Sequence, residues 1–257
     1  MNVELTVANN VGEIVLNRPA KMNAFDDAMV AAMHQRLAEA ASARVRALLI
    51  RGEGPAFSAG RDLAGAEPGK EDAELILKTV FNPVIRKIVN FPAPTFAAVH
   101  GPCLGVGLGI ALACDVVYMA DDAKTGSPFA RIGAVLDSGA HAFMTARIGG
   151  HRTLELIYSG RLISGAEAAQ MGLVNRALPR AAVFEEARKL AVQTAQGPTA
   201  AFMESKRLVA RIRDEGLGLD AVLEAEARAQ GAAGRTEDYR EGIGAFQAKR
   251  APQFVGR

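Results

Sequence analysis

The first apolar positions alternate. Val3–Val7 and Glu13–Leu16 are short alternating or apolar runs separated by Asn9-Asn10 and Gly12, and they predict a β-hairpin. The period then lengthens: Met29, Val30, Met33 and Leu37 share one face of a helix that Asp26 or Asp27 can cap and that runs to about Ala41. Ala47–Ile50 predicts a buried strand, closed by Gly52-Glu53-Gly54-Pro55. Ala56–Leu63 reads as a loop entering a short helical turn, and Glu71–Asn90 as a helix. Thr95–Val99 (strand), Gly105–Ala113 (helix) and Asp115–Ala120 (strand) follow. Such alternation favours an α/β core.

Pro128 and Asp137-Ser138-Gly139 bound a further loop before a helix through Ile148. After Gly149-Gly150 the pattern is mostly helical, with runs near 151–158, 165–171, 181–195, 198–213, 217–231 and 236–248. In the third run Val183, Phe184, Ala187, Leu190 and Ala191 form an apolar stripe. No fixed-period repeat interrupts this order. The chain divides into a core, residues 1–195, and a helical region, residues 196–257.

Composition narrows the function classes. A chain of 257 residues buries roughly 70–75% of its unfolded surface and needs no staple. Thirty basic and 28 acidic side chains are well mixed, for a net charge of +2, which argues against nucleic acid as the main partner. Cys103 and Cys114 fit a reducing compartment and lack metal-site spacing. Phe91–Cys114 is as long as a membrane span and carries no formal charge, but three prolines and four glycines break it. The expectation is a cytoplasmic protein with neither a secretory signal nor a membrane segment.

Two segments carry candidate chemistry. In Ala56–Leu63 (AFSAGRDL) small residues let a ligand approach the backbone. In Gly105-Val106-Gly107-Leu108-Gly109 a helix start offers unpaired N–H groups to a negative oxygen. It is no dinucleotide fingerprint, because Ile110 stands where the third glycine belongs. Each segment alone is equally an ordinary tight connection or a close helix–strand contact.

Together with other dispersed motifs they are far more specific. NRPAKMNAF at 17–25, AFSAGRDL at 56–63, the glycine segment within 97–115, SGRLISGAEAAQMGLVN at 159–175 and EDYREGIGAFQAKRAPQF at 237–254 resemble the enoyl-CoA hydratase/isomerase (crotonase) superfamily. The ARIG…LDSG segment and the C-terminal motif look most like its 1,2-epoxyphenylacetyl-CoA isomerase branch. The resemblance implies a spiral of ββα units with a helical C-terminal trimerisation region, forming a homotrimer or a dimer of trimers. It also implies an acyl-CoA thioester as substrate, in fatty acid or phenylacetate metabolism, with no metal or redox cofactor beyond the CoA carried by the substrate.

By motif position the resemblance places oxyanion-hole N–H groups on Ala59 and Val106. It places CoA and acyl contacts on Lys21, Ala24, Ala59, Asp62, Leu63 and Phe129, with Phe246 and Lys249 reaching a neighbouring subunit's nucleotide end. The two glutamates of a hydratase would fall on Gly109 and Phe129, neither of which ionises. Asp137, eight residues past Phe129, falls where isomerase branches carry a catalytic aspartate. Read by itself, Asp137 before Ser-Gly-Ala is also a good helix N-cap. The expected function is therefore acyl-CoA isomerisation with Asp137 as acid/base. The alternatives are hydration by another group, a nucleophilic Asp137, or an inactive acyl-CoA-binding subunit.

Overall fold

The computed structural model describes residues 2–67 and 69–257. Strands β1 (Val3–Ala8) and β2 (Val11–Leu16) form the expected antiparallel hairpin. Helix α1 (Asp27–Ser42) starts on Asp26, whose carboxylate accepts the Met29 N–H at 2.8 Å, and it buries Met29, Val30, Met33 and Leu37. Strand β3 (Ala47–Gly52) follows, then the helical segment α2 (Ala73–Ile76), a π-helical turn at Leu77–Phe81 and α3 (Asn82–Val89). The helix read over 71–90 is thus nearly continuous, capped by Asp72 and widened by one π turn.

Strands β4 (Thr95–Val99) and β5 (Cys103–Leu104) lead into α4 (Val106–Ala113), every residue of which is buried. Next come β6 (Val116–Ala120), β7 (Lys124–Gly126), a 3-10 turn at Pro128–Ile132 and α5 (Ala140–Ser159). The expected break at Gly149 is a kink inside α5, with Gly149 at φ 77° and ψ 165°. The remaining elements are β8 (Ile163–Ser164), α6 (Gly165–Gln170), β9 (Arg176–Leu178), α7 (Arg180–Ala195), α8 (Thr199–Glu215), α9 (Leu219–Ala233) and α10 (Glu237–Gln247).

Six strands make one sheet in the order β1-β2-β3-β4-β6-β9, parallel from β2 onward. Strands β5, β7 and β8 make a second, smaller sheet. The four short strands β5, β7, β8 and β9 escape a reading of hydrophobic period because two or three residues cannot display one. Helix α7 covers β3, β4 and β6 with its predicted stripe, and α4 packs against α3 and α5. The largely buried β3 and the fully buried β4 thus end, at their carboxyl ends, in the two loops that carry the candidate chemistry. Among the described residues no helix is long and apolar enough to cross a membrane.

Candidate active site

The loop after β3 is not a helical turn, contrary to the sequence reading. Its backbone groups are taken by distant partners instead. Ser58 bridges Cys103, its N–H donating to the Pro102 carbonyl (3.0 Å) and its carbonyl accepting from Leu104 N–H (2.9 Å). The buried Asn23 clips the loop from the other side, donating to the Glu53 and Ala56 carbonyls at 2.9 and 2.8 Å. Phe25 pairs with Arg61 in a parallel bridge: Phe25 N–H donates to Gly60 O (2.7 Å) and Asp62 N–H to Phe25 O (2.9 Å).

This pairing corrects one assignment. Ala59 N–H donates to the Met22 carbonyl at 2.9 Å and is not open to a ligand. Gly60 N–H is held by Ser58 Oγ at 3.2 Å. Along 58–62, among the described residues, the backbone donor left without a partner is Arg61 N–H, which a parallel bridge turns away from Phe25. Counting along a motif missed it by two residues because Met22 and Phe25, nearly 40 positions upstream, set the loop's register.

The second donor that the resemblance names, Val106 N–H, lies at a helix start. Gly105, at φ 53° and ψ −123°, turns the chain into α4, and Val106 is the first residue of that helix. Its N–H has no intrahelical acceptor and stands at the positive end of the helix dipole. Two glycines let the segments touch backbone to backbone. A Cβ on Gly60 would lie 3.0 Å from Leu104 O, and one on Gly107 would lie 2.7 Å from Ser58 Cβ. The two unengaged donors therefore sit on adjoining segments.

Phe129 and Asp137 close the other side. The Phe129 ring packs over Gly105, its edge 3.5 Å from where a Cβ would be. Asp137 is half-buried and accepts a 2.7 Å hydrogen bond from Ser138 Oγ. It is not a side-chain cap: the N-cap of α5 is Gly139, and no side chain bonds to the helix's first turn. Ser138 and Gly139 both adopt positive φ, 55° and 75°, a strained turn for serine. Burial pushes the Asp137 carboxyl above the ordinary carboxylate range, against the opposing pull of the Ser138 hydrogen bond, Arg61 and His141. The Arg61 guanidinium is itself held by both oxygens of Glu71 at 2.9 Å.

Beneath that turn lies Gly109. A Cβ there would fall 2.5 Å from Ser138 Cβ and 2.7 Å from Ser138 O, closer than real atoms approach. Position 109 therefore lacks a carboxylate and also lacks space for one.

The other candidates divide into two groups. Lys21, Ala24, Asp62 and Leu63 flank the Phe25–Arg61 bridge, Asp62 holding Arg18 at 2.8 Å and capping Ala64 N–H. Those two bonds, the second first, hold its carboxyl below the usual range. Phe246, 83% exposed, and Lys249 stand in solvent at the end of α10, outside that cluster. Asp115 satisfies Thr95 N–H and Oγ1 and pairs with Lys206. His100 Nε2 meets the Gly54 carbonyl at 2.8 Å. Burial pushes both thiols up, Cys114 to about 12, so neither is a nucleophile. No group of three or more His, Cys, Asp or Glu side chains among the described residues is arranged to hold a metal.

The Enoyl-CoA hydratase/isomerase profile matches residues 6–257. The chain belongs to this family. A Rhodobacter capsulatus protein named "Probable enoyl-CoA hydratase" is 35% identical, over 99% of this chain and 98% of that one. The 1,2-epoxyphenylacetyl-CoA isomerase of Escherichia coli is 32% identical over 98% and 97%. The crystal structure of an enoyl-CoA hydratase from Bacillus anthracis superposes with a TM-score of 0.91 at 29% identity, covering all of both chains. The mixed α/β architecture with a helical C-terminal region is the crotonase fold of this enoyl-CoA hydratase/isomerase family, which acts on acyl-CoA thioesters.

Proposed function

We propose that this family member isomerises an unsaturated or strained acyl-CoA. The observation that carries this reading is the seating of Ser138 on Gly109. It removes the place of one hydratase carboxylate and sets a single half-buried acid, Asp137, beside it. Phe129 fills the place of the other.

The chemistry follows from the thioester. Deprotonating the carbon beside the carbonyl puts negative charge on its oxygen. The N–H groups of Arg61 and Val106 stabilise that enolate, each such donor lowering the barrier by ~3–4 kcal/mol. Asp137, made more basic by burial, takes the proton from one carbon and returns it to another, so no atom is gained or lost. No metal or redox cofactor enters this cycle. Lys21, Ala24, Asp62 and Leu63 would hold the CoA portion, and Phe246 and Lys249 of a neighbouring copy would meet its nucleotide end. Assembly into a homotrimer, or a dimer of trimers, would bring them there.

Hydration is the second reading, favoured by the name of the Rhodobacter relative. It requires an acid and an ordered water from some other part of the cleft. Incubation with 3-enoyl-CoA, 2-enoyl-CoA and an aryl-CoA epoxide, for the native chain and for Asp137→Asn, separates the two. Isomerisation that falls 10²–10⁴-fold in the variant supports our reading. Water addition that survives the substitution favours hydration, and binding without turnover favours an inactive subunit.

A further inference from the structure

Arg61 brings more to the site than its amide. Its side chain is about one-third exposed, and Nη2 donates to both oxygens of Glu71 at 2.9 Å. Among the described residues no other group accepts a hydrogen bond from that guanidinium. Glu71 stands immediately before Asp72, the cap of α2, so the start of this helix is tied to the loop after β3. A pair this exposed contributes only ~0–1 kcal/mol to stability, so its main effect is on where the arginine's charge sits.

That position bears on Asp137. Among the described residues, Arg61 and His141 are the charged groups that act on Asp137, and both favour its ionised form against burial. His141 lies in the first turn of α5, whereas Arg61 acts from the loop after β3. The Asp137 carboxylate is fixed: Ser138 Oγ bonds it at 2.7 Å, and Ser138 is itself seated on Gly109. The arginine is the mobile member, a long side chain held at its tip by Glu71. A guanidinium stays charged at every working pH. Released from Glu71, it would be drawn to Asp137, the half-buried carboxylate it already attracts. An acid beside an unshared arginine ionises about 1–3 pH units lower and is a correspondingly weaker base.

We propose that Glu71 is a positioning residue: it holds the Arg61 guanidinium back from Asp137 and so keeps that carboxylate free to take the substrate's proton. This rests on Asp137 as the acid/base, as read above. The test is a double-mutant cycle of Glu71→Gln, Arg61→Met and the two combined, with His141 unchanged throughout. Two quantities are read: the pH profile of kcat/KM for isomerisation of 3-enoyl-CoA, and the thermal midpoint with and without Asp137→Asn.

In Glu71→Gln the acid limb of the profile should move down by about one pH unit or more, and the plateau should fall about tenfold. Arg61→Met should move the limb up, and adding Glu71→Gln to it should change nothing further. The rise in midpoint that Asp137→Asn gives at neutral pH should shrink in the Glu71→Gln background, a readout that needs no turnover. A native acid limb in Glu71→Gln, or an unchanged midpoint gap, overturns the proposal alone. So does an equal loss from Glu71→Gln in the Arg61→Met background, which would give Glu71 a role that does not pass through Arg61. Isomerisation that is absent in the native protein, or that survives Asp137→Asn, overturns the Asp137 reading and the proposal together.

Discussion

At position 109 the protein has no room for even one carbon. Gly109→Ala would place its methyl 2.5 Å from Ser138 Cβ. Overpacking of this kind costs ~1–3 kcal/mol, so the thermal midpoint should fall by several degrees. Gly109→Glu should displace the Asp137 turn and abolish isomerisation without creating a hydratase, measured on 2-enoyl-CoA. Asp137 itself gives a pH-dependent signature. Its folded-state pKa is raised, chiefly by burial. Ionisation is thus harder in the folded chain, and stability is lost as pH rises from the unfolded value, ~3.9, through the folded one. Asp137→Asn should therefore melt higher than the native protein at neutral pH, with the gap closing below about pH 3.5.

At the scale of elements, the start of α4 allows a donor to be removed cleanly. Proline at Val106 would delete one N–H while fitting the first helical position. The preceding Gly105, at φ 53° and ψ −123°, is the mirror image of an extended residue, which leaves space for the proline ring. Val106→Pro should fold with near-native circular dichroism and lose 10²–10³-fold in kcat. An unchanged kcat would remove Val106 from the oxyanion site. The long helices and the hydrophobic strands were legible because each displays several turns of its own period. The loop after β3 was not, since Met22, Phe25, Pro102 and Leu104 decide which of its amides stay free.

For the molecule as a whole, one unpartnered apolar surface lies on the C-terminal helices. Val209 is 67% exposed on α8, with Ile212 beside it and Leu219 and Leu223 on α9. Contiguous exposed apolar surface of this kind marks an interaction face, and other copies of this chain are the partners expected here. Sedimentation of the native protein should give a trimer or a multiple of it. Val209→Glu should shift the distribution toward monomer while leaving the spiral core folded. A monomeric native protein would refute that assembly.

Taken alone, the sequence determined the α/β order, the family and the absence of ionisable side chains at positions 109 and 129, because each depends on residue identity or local period. Only the tertiary structure decided that Arg61 rather than Ala59 presents the free amide, that the Asp137 carboxylate caps no helix, and that Ser138 occupies the space above Gly109. Those facts depend on which distant backbone group reaches a hydrogen bond first, and on volumes that exist only once the segments have packed. Residue type chooses the available chemistry; packing chooses which atoms are left free to perform it.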